Sequence, residues 1–197
     1  EDVITSVNAR IEAAAKRIRN HVGNDAKFAI VRILDDTHFR IHGKTSLFGS
    51  VLGRMGFANA WDGDVNGWAF HNGDVSDLAK MGDVQFAYIE PVAPTTRESL
   101  FNSAIWKAMP LARNGNVHAI PASWTFGGVL SAARFAELLR EAGEEEAALA
   151  QLDLAEPLAE DQELREIVLQ ERIRNYQALG DLEARIAAQE DAVADAQ

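Results

Sequence analysis

Apolar positions along the first 142 residues fall into two alternating rhythms. Val3, Val7, Ile11, Ala14, Ile18 and Val22 recur every three or four positions and predict one amphipathic helix over residues 3–22, with Gly23 as its stop. Residues 27–34 (KFAIVRIL) form a continuous, β-branched apolar run, the pattern of a buried strand, and residues 38–41 read as a second strand paired with it across Asp35-Asp36. Ser46 is placed to cap a helix running through Met55 and closed by Gly56. Residues 59–72 (NAWDGDVNGWAFHN) read as a loop holding two tryptophans among Gly, Asp and Asn. A short helix over 75–81, a strand over 83–90 and a helical stretch over 97–112, with Trp106 on its apolar side, follow.

The most informative stretch is 114–142. Asn114-Gly115 signals a turn, and 117–119 a short strand that Pro121 ends. Next come a loop bearing Trp124 and Phe126, then Gly127-Gly128, then a helix whose apolar side carries Leu130, Ala133, Leu138 and Ala142, widened by Phe135 and Leu139. Regular structure holds this loop at both ends, so its rings are free to face outward as a ligand wall. The order of elements is α/β throughout and implies a sheet covered on both faces.

Beyond residue 143 the rhythm changes. There is no strand signal, and Leu164, Val168, Leu169, Ile173, Tyr176 and Leu179 trace a helical stripe. Gly180-Asp181 interrupts it before Leu182, Ile186 and Val193 mark a second helix. Residues 143–197 carry 15 acids against 4 bases, a net charge of −11 that equals the charge of the whole chain. The first 142 residues hold 15 of each sign and are neutral. Neither part offers a basic face, so nucleic acid is excluded as a partner. The tail admits three readings: a solvated helical appendage, a bundle against the helix at 3–22, or a dimer contact. At 197 residues the chain suggests one domain, or one with an appendage. The lack of cysteine rules out disulfides and thiol chemistry. A start at Glu1 without Met is consistent with a removed leader.

Candidate chemistry is sparse. Asp35, Asp36, His38 and His42 resemble a metal cluster, yet four residues along a strand span about 13 Å, so a turn and an exposed strand account for them better. His118 alternates with apolar neighbours and is expected to face solvent. No nucleophile elbow, phosphate loop or metalloprotease signature is present. No catalytic residue, metal ligand or intrinsic cofactor is therefore assigned.

From about residue 27 to 142 the chain resembles the C-terminal lobe of the periplasmic siderophore-binding proteins of ABC importers, of the ferric-hydroxamate type. The likeness rests on TSLFGSVLGRMGFANAWDGDVNGWAF at 45–70, DLAKMGDVQFAYIE at 77–90 and WKAMPLARNGNVHAIPASWTFGGVLSA at 106–132, in the family's order. It implies a mixed central sheet flanked by helices, with 1–25 as the interlobe helix, 26–142 as the siderophore-binding lobe and 143–197 as an acidic helical extension. It also implies a function: binding an iron(III)-hydroxamate siderophore outside the cytoplasmic membrane, for delivery to an ABC permease. In the family the chelate is clamped between two lobes, so the partners implied are the permease and an N-terminal lobe or second chain. The alternative is a truncated or repurposed lobe that acts as a scaffold through its acidic helices. Trp68, Trp124 and Phe126 match the family's cleft-lining aromatic positions. Rings suit a ferric trihydroxamate, which is neutral with an apolar shell, whereas a trianionic catecholate calls for several basic groups. The competing reading of any large aromatic is core, and it is the one applied to Trp61 and Trp106. In relatives the helix at 46–56 carries an acid that docks the permease; here that position is Ser50.

Overall fold

The computed structural model describes the backbone of residues 2–155 and the side chains of 2–144. The helical stripes expected between 164 and 193 lie outside the described residues. The chain divides into two units, Glu1–Arg140 and Glu141–Gln197, and the first holds the sheet.

Helix α1 (Val3–Val22) begins where the Asp2 carboxylate accepts from the Ile4 N–H at 3.4 Å, and it ends at Gly23, whose φ of 83° suits a residue without Cβ. It buries Val7, Ile11, Ala14, Ala15 and Ile18, the middle of the expected stripe. Strand β1 (Lys27–Ile33) pairs antiparallel with β2 (His38–His42), as the two apolar runs predict. Helix α2 (Leu47–Arg54) starts at Ser46, whose Oγ accepts from the Gly49 N–H at 3.0 Å and donates to the Gly43 carbonyl at 2.7 Å. Two strands arise within or beside the expected loop: β3 (Ala58–Asn59), parallel to the start of β1, and β4 (Phe70–Asp74), antiparallel to β2. Neither shows a strand pattern in sequence, because cross-strand pairing and not side-chain alternation holds them.

Helix α3 (Val75–Lys80) opens with a capping box between Asp74 and Asp77, and strand β5 (Gln85–Ile89) follows. The single helical stretch expected over 97–112 is in fact three short helices: α4 (Pro94–Asn102), α5 (Ala104–Ala108) and α6 (Pro110–Arg113). Ser103 and Met109 are both extended, Ser103 capping α5 and Met109 forced out of helical geometry by Pro110. Strand β6 (Val117–Ile120) precedes α7 (Val129–Ala155).

The sheet order is β4-β2-β1-β5-β6, with β3 continuing the β2 edge of β1. β1, β5 and β6 are parallel, β2 runs antiparallel to β1, and β4, antiparallel to β2, runs in the same direction as β1, so the sheet is mixed. One face packs Val31, Phe39, Ile41, Phe86 and Tyr88 against Leu78, Leu100, Trp106 and Leu111 of α3 to α6. The other is covered by α2 and α7, where Phe48 and Phe135 meet at 4.5 Å, with α1 outside them. Two links fasten α1 there. Arg10 forms a two-pronged ion pair with Glu137 (2.7 and 3.0 Å), and Arg19 donates to the Met55 carbonyl at 2.6 Å while lying over the Phe57 ring.

Three side chains lie where the sequence did not place them. His42, expected on an exposed strand, is buried beside Phe48 and Phe70. His118 is also buried, its Nε2 sharing a 2.6 Å hydrogen bond with Gln85 Oε1 on the neighbouring strand. Leu130 is exposed, because the first turn of α7 projects past the core that Ala133, Phe135 and Leu138 enter.

Candidate aromatic binding shelf

Two loops carry the candidate residues, and each is shaped by local backbone chemistry. The first is the turn that leads into β4. Asn66 takes the Phe70 carbonyl on its N–H (3.0 Å) and offers its own carbonyl to Ala69 (2.9 Å), while its side-chain Oδ1 accepts from the Trp68 N–H at 2.9 Å. Ala69 sits at φ 62°, in the left-handed region, and its carbonyl accepts from Gly43 at 3.0 Å. With the backbone so committed, the Trp68 side chain has nowhere to go but outward, and it is 66% exposed.

The second loop, 121–128, leaves β6 at the opposite edge of the sheet from β4. Four strand steps of about 4.8 Å separate those edges by about 19 Å, and an eight-residue link reaches up to about 27 Å. The link does cross back: Phe126 meets Trp68 edge-on, with centroids 5.4 Å apart and planes at 62°. At Gly127 a Cβ would stand 2.0 Å from Ser131 Oγ and 3.2 Å from Trp124 Cδ1, so glycine is required where the loop closes onto α7. Trp124 is 70% exposed and Phe126 58%. Val129 and Leu130 extend the apolar surface along the first turn of α7. Large exposed apolar side chains grouped in this way mark a binding surface more often than a fold requirement.

The other two tryptophans are packed. Trp106 is buried against Phe86 and Phe101, and Trp61 is half-buried, stacked on His71 at 4.4 Å with its indole N–H donating to the Asp64 carbonyl. The core reading of Trp61 and Trp106 agrees with their packing, but sequence reasoning misses strand β4, which fixes the turn beneath Trp68. β4 is defined by its pairing alone, in which Phe70 lies opposite His42. Beneath the turn, His42 has neither ring nitrogen hydrogen-bonded, and burial, with smaller contributions from Arg40 and Arg32, lowers its pKa to about 4. Among the described residues no group of His, Asp and Glu is placed to hold a metal ion.

This mixed sheet, with helices on both faces and aromatic loops at its rim, is the fold of one lobe of the siderophore-binding proteins. Over 113 residues the chain is 31% identical to the iron(3+)-hydroxamate-binding protein FhuD of Escherichia coli (strain K12), and the two are homologous; the match takes in 57% of this chain and 38% of that protein. The structure is similar to the siderophore-binding protein FhuD of Vibrio cholerae bound to Fe3+-Desferal (TM-score 0.65, 21% identity, 71% of this chain and 52% of that one). It is also similar to the triscatecholate siderophore-binding protein FeuA of Bacillus subtilis with ferri-bacillibactin (TM-score 0.56, 17% identity, 72% and 53%). The chain therefore spans about half the length of these structures and less of the curated relative. No family model matches it. The matched relatives are binding proteins, not enzymes.

Proposed function

We propose that this chain is the solute-binding component of iron(III)-siderophore uptake of the hydroxamate type, with Trp68, Trp124 and Phe126 as the wall against which the chelate rests. The observation that carries the reading is the edge-on pair of Trp68 and Phe126, brought together from opposite edges of the sheet and left exposed on a lobe homologous to FhuD. Rings exclude water from the apolar shell of a hydroxamate complex without asking it to exchange charge. In this reading residues 1–25 are an interlobe helix, 26–142 the binding lobe and 143–197 an acidic helical extension. The opposing wall of the cleft comes from a further lobe, on this or another chain. The protein works outside the cytoplasmic membrane, hands its cargo to an ABC permease and catalyses nothing; iron enters as part of the ligand and not as a resident cofactor.

Tryptophan fluorescence tests this directly. Titration with a ferric trihydroxamate quenches the protein, and Trp124→Ala loses most of the response while keeping its circular dichroism. No quenching at high micromolar chelate, with the fold intact, refutes the uptake reading and favours a scaffold that acts through the acidic segment.

A further inference from the structure

The pattern Asn-x-Trp occurs twice in this chain, as Asn59-Ala60-Trp61 and again as Asn66-Gly67-Trp68. In both, the asparagine Oδ1 accepts from the N–H of the tryptophan two residues on, at 2.9 Å. This is the Asx turn, by which an asparagine shapes its own backbone. The surroundings of the two rings differ. Trp61 is half-buried, stacked on His71, and its indole N–H donates to the Asp64 carbonyl, so packing fixes that ring as well. Trp68 is exposed and rests edge-on against Phe126, which is itself exposed. What holds Trp68 in place is therefore its backbone.

Asn66 closes that stretch of backbone from several sides. Its N–H donates to the Phe70 carbonyl at 3.0 Å, its carbonyl accepts from the Ala69 N–H at 2.9 Å, and its Oδ1 also accepts from the Phe70 N–H at 3.4 Å. Between these bonds Ala69 is kept at φ 62°. That left-handed conformation costs an alanine free energy and persists only where its neighbours over-determine it. The Asn66 side chain is exposed, and its bonds run to Trp68 and Phe70 and not into the core. Replacing it removes a constraint on Trp68 without opening a cavity. Both donors it serves are backbone N–H groups, so the position requires an acceptor oxygen.

We propose that Asn66 is a positioning residue for chelate binding: by fixing the backbone at Trp68 it holds the exposed indole against Phe126 before the ligand arrives. This deepens the uptake reading and rests on it. A ring free to swing must be ordered as the ligand binds, and ordering one such side chain weakens affinity by up to about tenfold. The Asx turn moves that ordering into the folding of the free protein. Asparagine and aspartate both supply the acceptor, serine supplies a weaker one, and alanine supplies none.

Calorimetric titration of the intact protein with ferrichrome, a neutral ferric trihydroxamate, tests this. Asn66→Ala binds about three- to tenfold more weakly while keeping its circular dichroism. Asn66→Asp keeps the acceptor, and its added charge bears little on a neutral chelate, so it binds within about twofold of the parent; Asn66→Ser falls between the two. A double-mutant cycle then separates positioning from general support of the fold. In a Trp68→Ala background Asn66→Ala changes affinity by less than about twofold, because the ring it positions is gone. Full affinity in Asn66→Ala, a loss that Asn66→Asp does not restore, or an equal loss with and without the Trp68 ring overturns the positioning role and leaves the uptake reading standing. Failure of the unmodified protein to bind ferrichrome overturns both.

Discussion

Replacing His42 with Phe removes an imidazole that is 2% exposed, lies against Phe48 and Phe70 at 4.9 and 6.1 Å, and has no hydrogen-bond partner on either nitrogen. Burial first, then the charges of Arg40 and Arg32, takes its pKa from the ordinary 6.5 down to about 4. The sign follows from that depression. The unfolded chain accepts a proton below pH 6.5 that the folded ring refuses, so stability is fully present above that pH and is lost as pH falls toward 4. At about 1.4 kcal/mol per pH unit the full loss is about 3 kcal/mol, and about 2 kcal/mol of it is gone by pH 5. Asp77 and Glu137, whose pKa values are lowered from 3.8 and 4.5 by their partners, give up most of their contribution only below those values. Over pH 7 to 5 the difference between the parent and His42→Phe therefore reads this histidine, since the other four are common to both proteins. Urea unfolding of both proteins at pH 7, 6 and 5 reads the difference: the parent loses about 2 kcal/mol more than His42→Phe. The variant is at least as stable at pH 7, since an unpaired buried polar group costs about 1–3 kcal/mol. Parallel stability curves would show that His42 is not held neutral in the aromatic cluster, and the reasoning would fail.

Gly49→Ala places a Cβ 2.2 Å from the Gly43 carbonyl oxygen and 2.8 Å from the Lys44 Cα, both backbone, and costs about 3 kcal/mol in chemical denaturation. Gly53→Ala, one turn later with nothing within 4 Å, instead gains about 0.5–1 kcal/mol of helix propensity. Glu137→Gln breaks the ion pair with Arg10, but both side chains are partly exposed, so thermal unfolding registers about 1 kcal/mol or less, and the difference shrinks in about 1 M salt. Ser46→Ala removes the cap of α2 together with the bond to Gly43; the loss is about 1–2 kcal/mol, and a variant unchanged in stability would mean that the cap is satisfied another way.

Much of this molecule could be read from local chemistry. The stripe of α1, the buried runs of β1 and β5, and the Ser46 cap each satisfy their own element, so sequence neighbours determined them. Trp68, Trp124 and Phe126 stood out for a similar reason: large rings set among Gly, Ser and Asn in loops have no local element to enter. Tertiary structure decided the rest. It made β4 a strand by pairing it with β2, although its sequence contains Asn, Gly and Asp in a row. Only the strand order β4-β2-β1-β5-β6 and the returning loop at 121–128 bring Trp68 and Phe126 within 5.4 Å across 58 residues of chain. The same register set Arg32 against Arg40 and turned His42 inward. Hydrophobic periodicity specifies which face of an element is buried, whereas a site depends on which elements become neighbours, and that is fixed only when the sheet closes its hydrogen bonds.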